Sequence, residues 1–315
     1  MLNQSRDILI LGLNFDQLNF IKVIKKMGYN IFGVDQNLDA PGVKYCNFYY
    51  KCSYTEVDKI LKFIKKNNFS KNGNFFTAAS QIAYLSLAKI AKKNKSKFVN
   101  PNIIDKCINK KKMNDLFLKN KISIPNTVYI YKNKVKLDKN KTYFLKSDYG
   151  KTPKYCYKIK KGIFPDLPKK DDFYKKCFLL QDEIIGEHYR LNLVDGNFIV
   201  FHKLNEKLFK VVKITNYFFP EIKKSLSIFI KRLNLNKLII KFDIIVNKDN
   251  WYCIDIGFDP PKRLECIMTF KKKNFFKAYV YYWFNYQNLF EKLKFKNINN
   301  LFIKISKTGK TNVYR

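Results

Sequence analysis

Apolar residues fall along this chain in two rhythms, and the change of rhythm divides it. Residues 7–12 (DILILG) form a short continuous apolar run, the pattern of a buried strand. Residues 15–27 carry Phe15, Leu18, Ile21 and Ile24 at helical spacing, and Gly28 supplies a C-terminal stop. Residues 30–34 (NIFGV) read as a second strand that ends at Asp35. Strand, helix and strand in that order predict one unit of a parallel sheet. A helix over 55–67, a strand over 74–77 and a helix over about 80–93 continue it, so residues 1–100 read as a Rossmann-like lobe. Its first turn, GLNFDQ, holds one glycine. A dinucleotide site uses GxGxxG, because the second glycine lets the backbone approach the pyrophosphate. Asp35 stands near ribose-binding distance, but acids end many strands, and the lobe is read as structural.

The rhythm changes after Pro101. A short helix is followed by a second that starts at Lys110, with Met113, Leu116 and Phe117 on one face, and ends in KNKISIP. Three strand-like pieces follow at 127–131, 142–147 and 154–159, then a Pro- and charge-rich connection over 160–172. From Cys177 onward strands are expected at 177–184, 187–194, 197–204, 238–247 and 250–256, with helices at 220–233 and about 272–293. The expected division is a small central lobe, 101–176, and a C-terminal sheet lobe, 177–315. The last helix places Phe275, Phe276, Tyr279, Trp283 and Phe284 at helical spacing after the run Lys271–Lys273, and reads as core or interface. Lys277, Asn285, Gln287 and Asn288 interrupt it, so no membrane span is expected.

Composition changes this picture in three places. A hydrophobic share of 46% excludes a disordered chain. The seven cysteines (Cys46, Cys52, Cys107, Cys156, Cys177, Cys253 and Cys266) are odd in number and form no CxxC pair, and the start lacks a secretory pattern; a reducing cytoplasm is the expected location. The net charge of +37 suggests a nucleic-acid or membrane surface, but arginine occurs only at positions 6, 190, 232, 263 and 315. Anion sites recruit arginine for its bidentate fork. The lysine is spread along the whole chain, and Lys, Asn, Ile, Phe and Tyr share A/T-rich codons, so the charge reads as coding bias. Neither nucleic acid nor membrane is an expected partner.

The candidate chemistry lies in three segments. In LIIKFDIIVNKDNWYCIDIGFDPP, residues 238–261, two apolar runs flank Asn247–Asn250 and predict a hairpin. A turn centred on Asp249 sets Asp243 opposite Asp255, with Ile245, Trp251 and Cys253 expected on the same face. Opposed like charges destabilise a sheet, and a divalent cation would offset them. Separate solvated acids or a one-residue register shift is the plainer alternative. In TYFLKSDYGK, Lys146 ends an apolar strand and needs an anionic partner, while Lys110 begins a helix, where positive charge is disfavoured. Two ordinary surface lysines would give the same pattern. In FLLQDEIIGEHYRLNLVDGNFI, residues 178–199, Gln181, Asp182 and Glu183 precede Gly186, and Arg190 sits mid-strand.

These segments, in this order, resemble the ATP-grasp superfamily of the carbamoyl-phosphate-synthase-like, carboxylate–amine ligase type. KKKMNDLFLKNKISIP is similar to the family's lysine-opened helix and places its first nucleotide-binding lysine at Lys110. FLKSDYG places the second at Lys146. QDEIIGEHYR resembles the adenine hinge, so Gln181, Asp182 and Glu183 are expected at the base and Glu187 or His188 near the ribose. Asp243 and Asp255 match the metal acids. Arg190 matches an arginine that faces phosphate or substrate in some branches, and Arg263, with Lys262, follows the second acid. The fold implied is α/β: a Rossmann-like parallel-sheet lobe before a two-lobed ATP-grasp fold. The cofactors implied are ATP and Mg²⁺ or Mn²⁺. The reaction implied is ATP-dependent activation of a carboxylate as an acyl phosphate, attacked by an amine or a thiol. The partners are then small-molecule carboxylate and amine substrates, with a homodimer left open.

The sequence departs from the family in three places, and the first and last of these favour the alternative of a non-catalytic nucleotide-binding or scaffold protein. Gly257 stands where the family has Asn. The second acid is Asp rather than Glu. The phosphate-covering loop, YGKTPKYCY, has one glycine. Asp259, two residues past Gly257, is a candidate substitute for the missing oxygen.

Overall fold

The computed structural model describes residues 5–130, 137–148, 156–163, 178–194, 196–212, 217–235, 238–258, 260, 262–285, 298–306 and 311–314, with residues 281–285 as backbone. The described residues form three sheets. The first lobe runs β1 (Asp7–Leu11), α1 (Phe15–Lys26), β2 (Asn30–Asp35), β3 (Phe48–Lys51), α2 (Val57–Lys66), β4 (Asn74–Phe76) and α3 (Gln81–Lys93). Its strands are parallel in the order β3-β2-β1-β4, the Rossmann-like order. At the β1–α1 turn Gly12 takes φ +84°. The fully buried Gln17 fills that turn: its amide donates to the carbonyls of Leu11 and Gly12 and accepts from Ala78 N at 2.9 Å. Asp35 accepts from the amides of Leu13 (2.7 Å) and Asn37 (2.9 Å), so its carboxylate closes a loop.

The middle of the chain contains α4 (Pro101–Ile108), α5 (Lys110–Lys119), β5 (Thr127–Ile130), β6 (Tyr143–Ser147), β7 (Cys156–Ile159) and β8 (Phe178–Asp182). The four strands form one antiparallel sheet, β5-β8-β6-β7. The strand expected to open the C-terminal lobe is therefore hydrogen-bonded into the middle sheet. Alternation gives this sheet one apolar face, with Tyr143, Leu145, Ile159, Phe178 and Leu180 clustered, and a second face that carries Phe144, Lys146 and Gln181.

The rest comprises β9 (Glu187–Val194), β10 (Asn197–Lys203), β11 (Leu208–Val212), α6 (Phe219–Arg232), β12 (Ile240–Val246), β13 (Trp251–Gly257), α7 (Lys262–Phe270), α8 (Phe275–Asn285), β14 (Phe302–Ile305) and β15 (Thr311–Tyr314). The strands form an antiparallel sheet in the order β13-β12-β9-β10-β11-β14-β15. One face buries Leu191, Phe242, Trp251 and Cys253 against Leu226 and Phe229 of α6. On the other, Phe201, Phe209 and Val211 join Leu264, Met268, Phe275, Phe276 and Tyr279 and reach Phe20 and Phe76 of the first lobe. Burial of each such aromatic contributes roughly 2 kcal/mol. Phe275, Phe276 and Tyr279 are core residues, as their spacing predicts; the side chains of Trp283 and Phe284 lie outside the described residues. No helix among the described residues is long and apolar enough to cross a membrane.

Two further expectations change. The aromatic helix starts at Phe275 rather than 272, because Lys271–Lys273 form a turn after α7: Lys272 takes φ +55°, and the Asn274 side chain accepts from Lys277 N at 2.9 Å. The hairpin also differs in its parity. Val246, Ile245 and Ile244 pair with Trp251, Tyr252 and Cys253, so the turn centres between Lys248 and Asp249. That register alone would set Asp243 opposite Ile254. A bulge between Asp243 and Ile244 inserts the extra residue and brings Asp243 opposite Asp255. The acids share a face as expected. Trp251 and Cys253 do not share it; beyond the bulge they point into the core with Phe242 and Ile256.

Candidate active site

Five segments converge on the space between the middle and C-terminal sheets. Lys110 is the first residue of α5. Asn109 caps that helix by accepting from Lys112 N at 2.9 Å, and Lys110 N donates to the Asp148 carbonyl at 2.8 Å, tying the helix start to the end of β6. The Lys110 ammonium reaches across to Asp255 Oδ1 on β13 at 3.2 Å. Lys146, on β6, donates to Gln181 Oε1 at 2.7 Å, and Gln181 donates to Thr127 Oγ1 at 3.0 Å. Burial, then the charge of Lys110, holds the Lys146 ammonium below the usual lysine value, with Cys156, Asp255 and Asp243 pulling the other way. The two lysines therefore face one cleft, together with both acids.

The acids are held by protein cations. Arg190 of β9 grips Asp243 through two bonds, Nε to Oδ1 and Nη2 to Oδ2, each 2.6 Å. Both side chains are about a quarter exposed, so the pair is neither dry nor fully screened. Burial pushes the Asp243 carboxyl up, but the Arg190 charge and bonds, then Lys241 and Arg263, more than offset this and leave it below its ordinary value. Arg263, near the start of α7, lays its guanidinium over the Phe209 ring at 3.7 Å, and its Nε is buried without a hydrogen-bond partner. Burial, then repulsion by Arg190, lowers Arg263 to about 10.

The hinge segment splits. Gln181 and His188 point to the cleft, and His188 lines a cavity of about 230 Å³ with Arg190, Lys203, Asp243 and Arg263. Burial, then Lys203, lowers its pKa. Glu187 faces the other way and accepts from Tyr189 Oη at 2.7 Å. The Asp182 carboxylate accepts from Asn126 at 3.2 Å, while Glu183 accepts at 2.5 Å from Lys158, which lies over the Phe144 ring on the sheet face that also carries Lys146. Asp259 and residues 149–155 of the expected phosphate-covering loop lie outside the described residues.

Sequence reasoning missed Lys241, Thr127 and Phe209. Lys241 had a signal: in IIKFD it is the polar residue two before Asp243, hence on the same face. Among the described residues no three His, Cys, Asp or Glu side chains gather as a metal cage. Mg²⁺ is commonly bound by one or two carboxylates, with substrate phosphates and water supplying the rest. The opposed pair Asp243 and Asp255 fits that demand, and Asp255, half exposed and ion-paired among the described residues with Lys110, is the more available of the two. Volume alone does not locate this chemistry: a groove of about 560 Å³ over β3 and α2 is lined by lysines, asparagines and aromatics with no acid.

No protein-family profile matches the sequence, and no curated protein matches it either. Solved structures do match. Phosphoribosylglycinamide synthetase from Anaerococcus prevotii aligns at 16% identity over 96% of this chain and 81% of its own, with a TM-score of 0.64. An L-amino acid ligase from Bacillus licheniformis aligns at 13% identity over 96% of this chain and 80% of its own, with a TM-score of 0.69. The biotin carboxylase domain of Hydrogenobacter thermophilus 2-oxoglutarate carboxylase, solved with MgADP, ADP and bicarbonate, aligns at 11% identity over 82% and 65%, with a TM-score of 0.62. At these identities the likeness is one of fold, and it agrees with the order of the motifs: the chain has the ATP-grasp fold behind a Rossmann-like first lobe.

Proposed function

We propose that the chain binds ATP between its middle and C-terminal sheets and transfers the γ-phosphoryl group to a small carboxylate, giving an acyl phosphate that an amine, or less often a thiol, then attacks. One observation carries this reading: Lys110, Lys146, Arg190, Asp243 and Asp255 meet in one cleft from five separate segments. Two ammonium groups that face each other, with Lys146 held below its ordinary value by burial and then by the charge of Lys110, call for a polyanion between them. Lys146 and Lys110 hold the phosphates, and Gln181, bonded to Lys146, orients that lysine at the base end. His188 lies toward the ribose. Arg190 and Arg263 hold the acceptor carboxylate and the charge that develops on the transferred group. Asp243 and Asp255 would hold Mg²⁺ or Mn²⁺, which when bound shields phosphate charge. No side chain attacks as a nucleophile, and the site works by positioning and charge stabilisation.

The acids' engagement with Arg190 and Lys110 favours a second reading, a nucleotide-binding protein without turnover. Calorimetry with ATP, with and without Mg²⁺, followed by ADP release screened against carboxylates paired with amines, separates the two. Binding with acid-dependent ADP release supports the ligase, and binding without release on any pair supports the second reading. Folded protein that binds no ATP under either condition ends both.

A further inference from the structure

Lys110 and Lys146 reach one cleft from elements that belong to different cores. Met113 and Phe117 of α5 are buried with Leu226 and Phe229 of α6 under the C-terminal sheet. Tyr143 and Leu145 of β6 are buried with Ile159, Phe178 and Leu180 in the middle sheet. No hydrophobic cluster of buried side chains among the described residues holds both elements. The lysines do not hold each other either, since the charge of Lys110 disfavours that of Lys146. Their separation therefore depends on the polar ties between the start of α5 and the end of β6.

Those ties meet at two residues. Asn109, only 5% exposed, ends α4 and caps α5. Its backbone N–H donates to the Asp105 carbonyl at 3.0 Å, its carbonyl accepts from Met113 N at 2.8 Å, and its side-chain oxygen accepts from Lys112 N at 2.9 Å. That leaves the amide Nδ2, which donates to Asp148 Oδ2 at 3.3 Å. Asp148 stands two residues beyond Lys146, and its carbonyl accepts from Lys110 N at 2.8 Å. The other carboxylate oxygen of Asp148, Oδ1, is buried with no hydrogen-bond partner. Among the described residues, Asn109 is thus the side-chain partner of that carboxylate, and keeping a part-buried carboxylate on so few bonds is costly. A helix cap alone needs one oxygen, which Ser, Thr or Asp would supply as well. Asparagine adds a donor beside the cap oxygen, and that donor joins the cap to Asp148.

We infer that Asn109 and Asp148 are positioning residues, whose bond fixes the separation of Lys110 and Lys146 so that one polyphosphate meets both ammonium groups. This deepens the nucleotide reading above and rests on it. A misplacement of about 1 Å is enough to lose much of a positioned contact, so the pair acts on the phosphates without touching them.

The test is calorimetry on the full chain with ATP and with AMP, both with Mg²⁺, read as the ratio of the two affinities. The nucleotides share base, ribose and α-phosphate, so the ratio reports the outer phosphates. Asp148→Ala removes an acceptor and a negative charge. Loss of the charge alone would favour ATP and raise the ratio. Loss of the tie should lower it at least about fivefold, the worth of one hydrogen bond. Asp148→Asn removes the same charge but keeps an acceptor, and its ratio should not fall below about half that of wild type. A general loosening of the fold would weaken both nucleotides together and leave the ratio unchanged. Should Asp148→Ala fail to fold by circular dichroism, Asn109→Asp keeps the cap and sets two carboxylates together. That variant should lower the ratio, and adding Asp148→Asn, which exchanges donor and acceptor, should restore it. An unchanged or raised ratio in Asp148→Ala, or in Asn109→Asp where that variant stands in, overturns the inference and leaves the nucleotide reading standing. Equal falls in Asp148→Ala and Asp148→Asn also overturn it and assign the effect to the charge. Wild-type protein that binds neither nucleotide ends the nucleotide reading and this inference with it.

Discussion

Breaking the Arg190–Asp243 pair is the sharpest perturbation of the site. Arg190→Met removes the guanidinium and keeps most of the apolar stem. Asp243 is then left part-buried, with Lys241 and Arg263 as its remaining charge support. Loss of one partner costs about 3–5 kcal/mol when a pair is fully buried and about 0–1 kcal/mol when it is exposed. Side chains exposed by 28% and 26% fall between these limits, nearer the screened end because two other cations stay. The expected loss is about 1–2 kcal/mol at pH 7. Asp243→Asn should cost a similar amount, and the double variant should recover part of the sum, with a coupling of about 1 kcal/mol. The pH leg has a definite sign. The folded Asp243 carboxyl is below its ordinary value, so the pair's contribution is complete above about pH 4 and is lost as pH falls through the folded value. Urea unfolding followed by circular dichroism at pH 7 and pH 3 measures both effects. Single losses that simply add, or a gap between wild type and Arg190→Met that is the same at both pH values, would refute the reasoning. The variant also frees an acid beside Asp255, so Mn²⁺ should stabilise Arg190→Met more than it stabilises the wild type.

Three further outcomes follow from single contacts. A Cβ at Gly186 would meet the Val246 carbonyl oxygen at 2.4 Å, so Gly186→Ala should lower urea stability by about 1–3 kcal/mol; a neutral result would mean β8 and β9 join less tightly than described. Because Lys146 is held below its ordinary value, phosphate binding should raise it and draw in a proton wherever the free group is partly deprotonated. Calorimetric heats of ATP binding in buffers of different ionisation enthalpy should show that uptake, and Lys146→Met should abolish it. Cys156 is part-exposed and in register with Lys146 on the same sheet face, so ATP should slow its alkylation, read by peptide mass spectrometry, while leaving that of Cys266 unchanged.

Much of the framework was legible because it is local. The apolar spacing at Phe15, Leu18, Ile21 and Ile24 places α1, and the alternation in YFLKS places Lys146 on one face of β6. The opposition of Asp243 and Asp255 was legible too, though for an incomplete reason: the turn is centred half a residue from Asp249, and a bulge supplies the difference. A bulge has no signal in alternation until its register is known. The short strands β3, β14 and β15 were missed because they are too brief and half-exposed to show a rhythm. Helix α7 was missed because Pro260, Pro261 and the lysine run bracket it as a loop. Least legible was which cation holds which acid. Arg190 and Asp243 are 53 residues apart, and Lys110 and Asp255 are 145 apart. Only the folded chain decides between such partners.

The charge pattern explains why the facing acids are tolerable in the resting protein. Two carboxylates opposed on neighbouring strands repel. Here each is matched: Asp243 by a bidentate guanidinium from the strand on its other side, Asp255 by an ammonium from a helix start. The helix start is an unfavourable place for Lys110, since the macrodipole presents positive charge there. Its contact with Asp255 compensates in the resting state, but the contact is long, at 3.2 Å, and Asp255 stays half exposed. Lys146 is in a similar position, bonded to the neutral Gln181 and facing Lys110. Asp243 is thus satisfied by Arg190 more firmly than Lys110 is satisfied by Asp255. A polyphosphate that enters the cleft would relieve both lysines at once and release Asp255 from Lys110 without disturbing the Arg190–Asp243 grip. Metal capacity should therefore appear with the nucleotide, not before it. Mn²⁺ titrated into wild-type protein, followed by its paramagnetic resonance signal, should show binding only when an ATP analogue is present; tight binding to the nucleotide-free protein would refute this order.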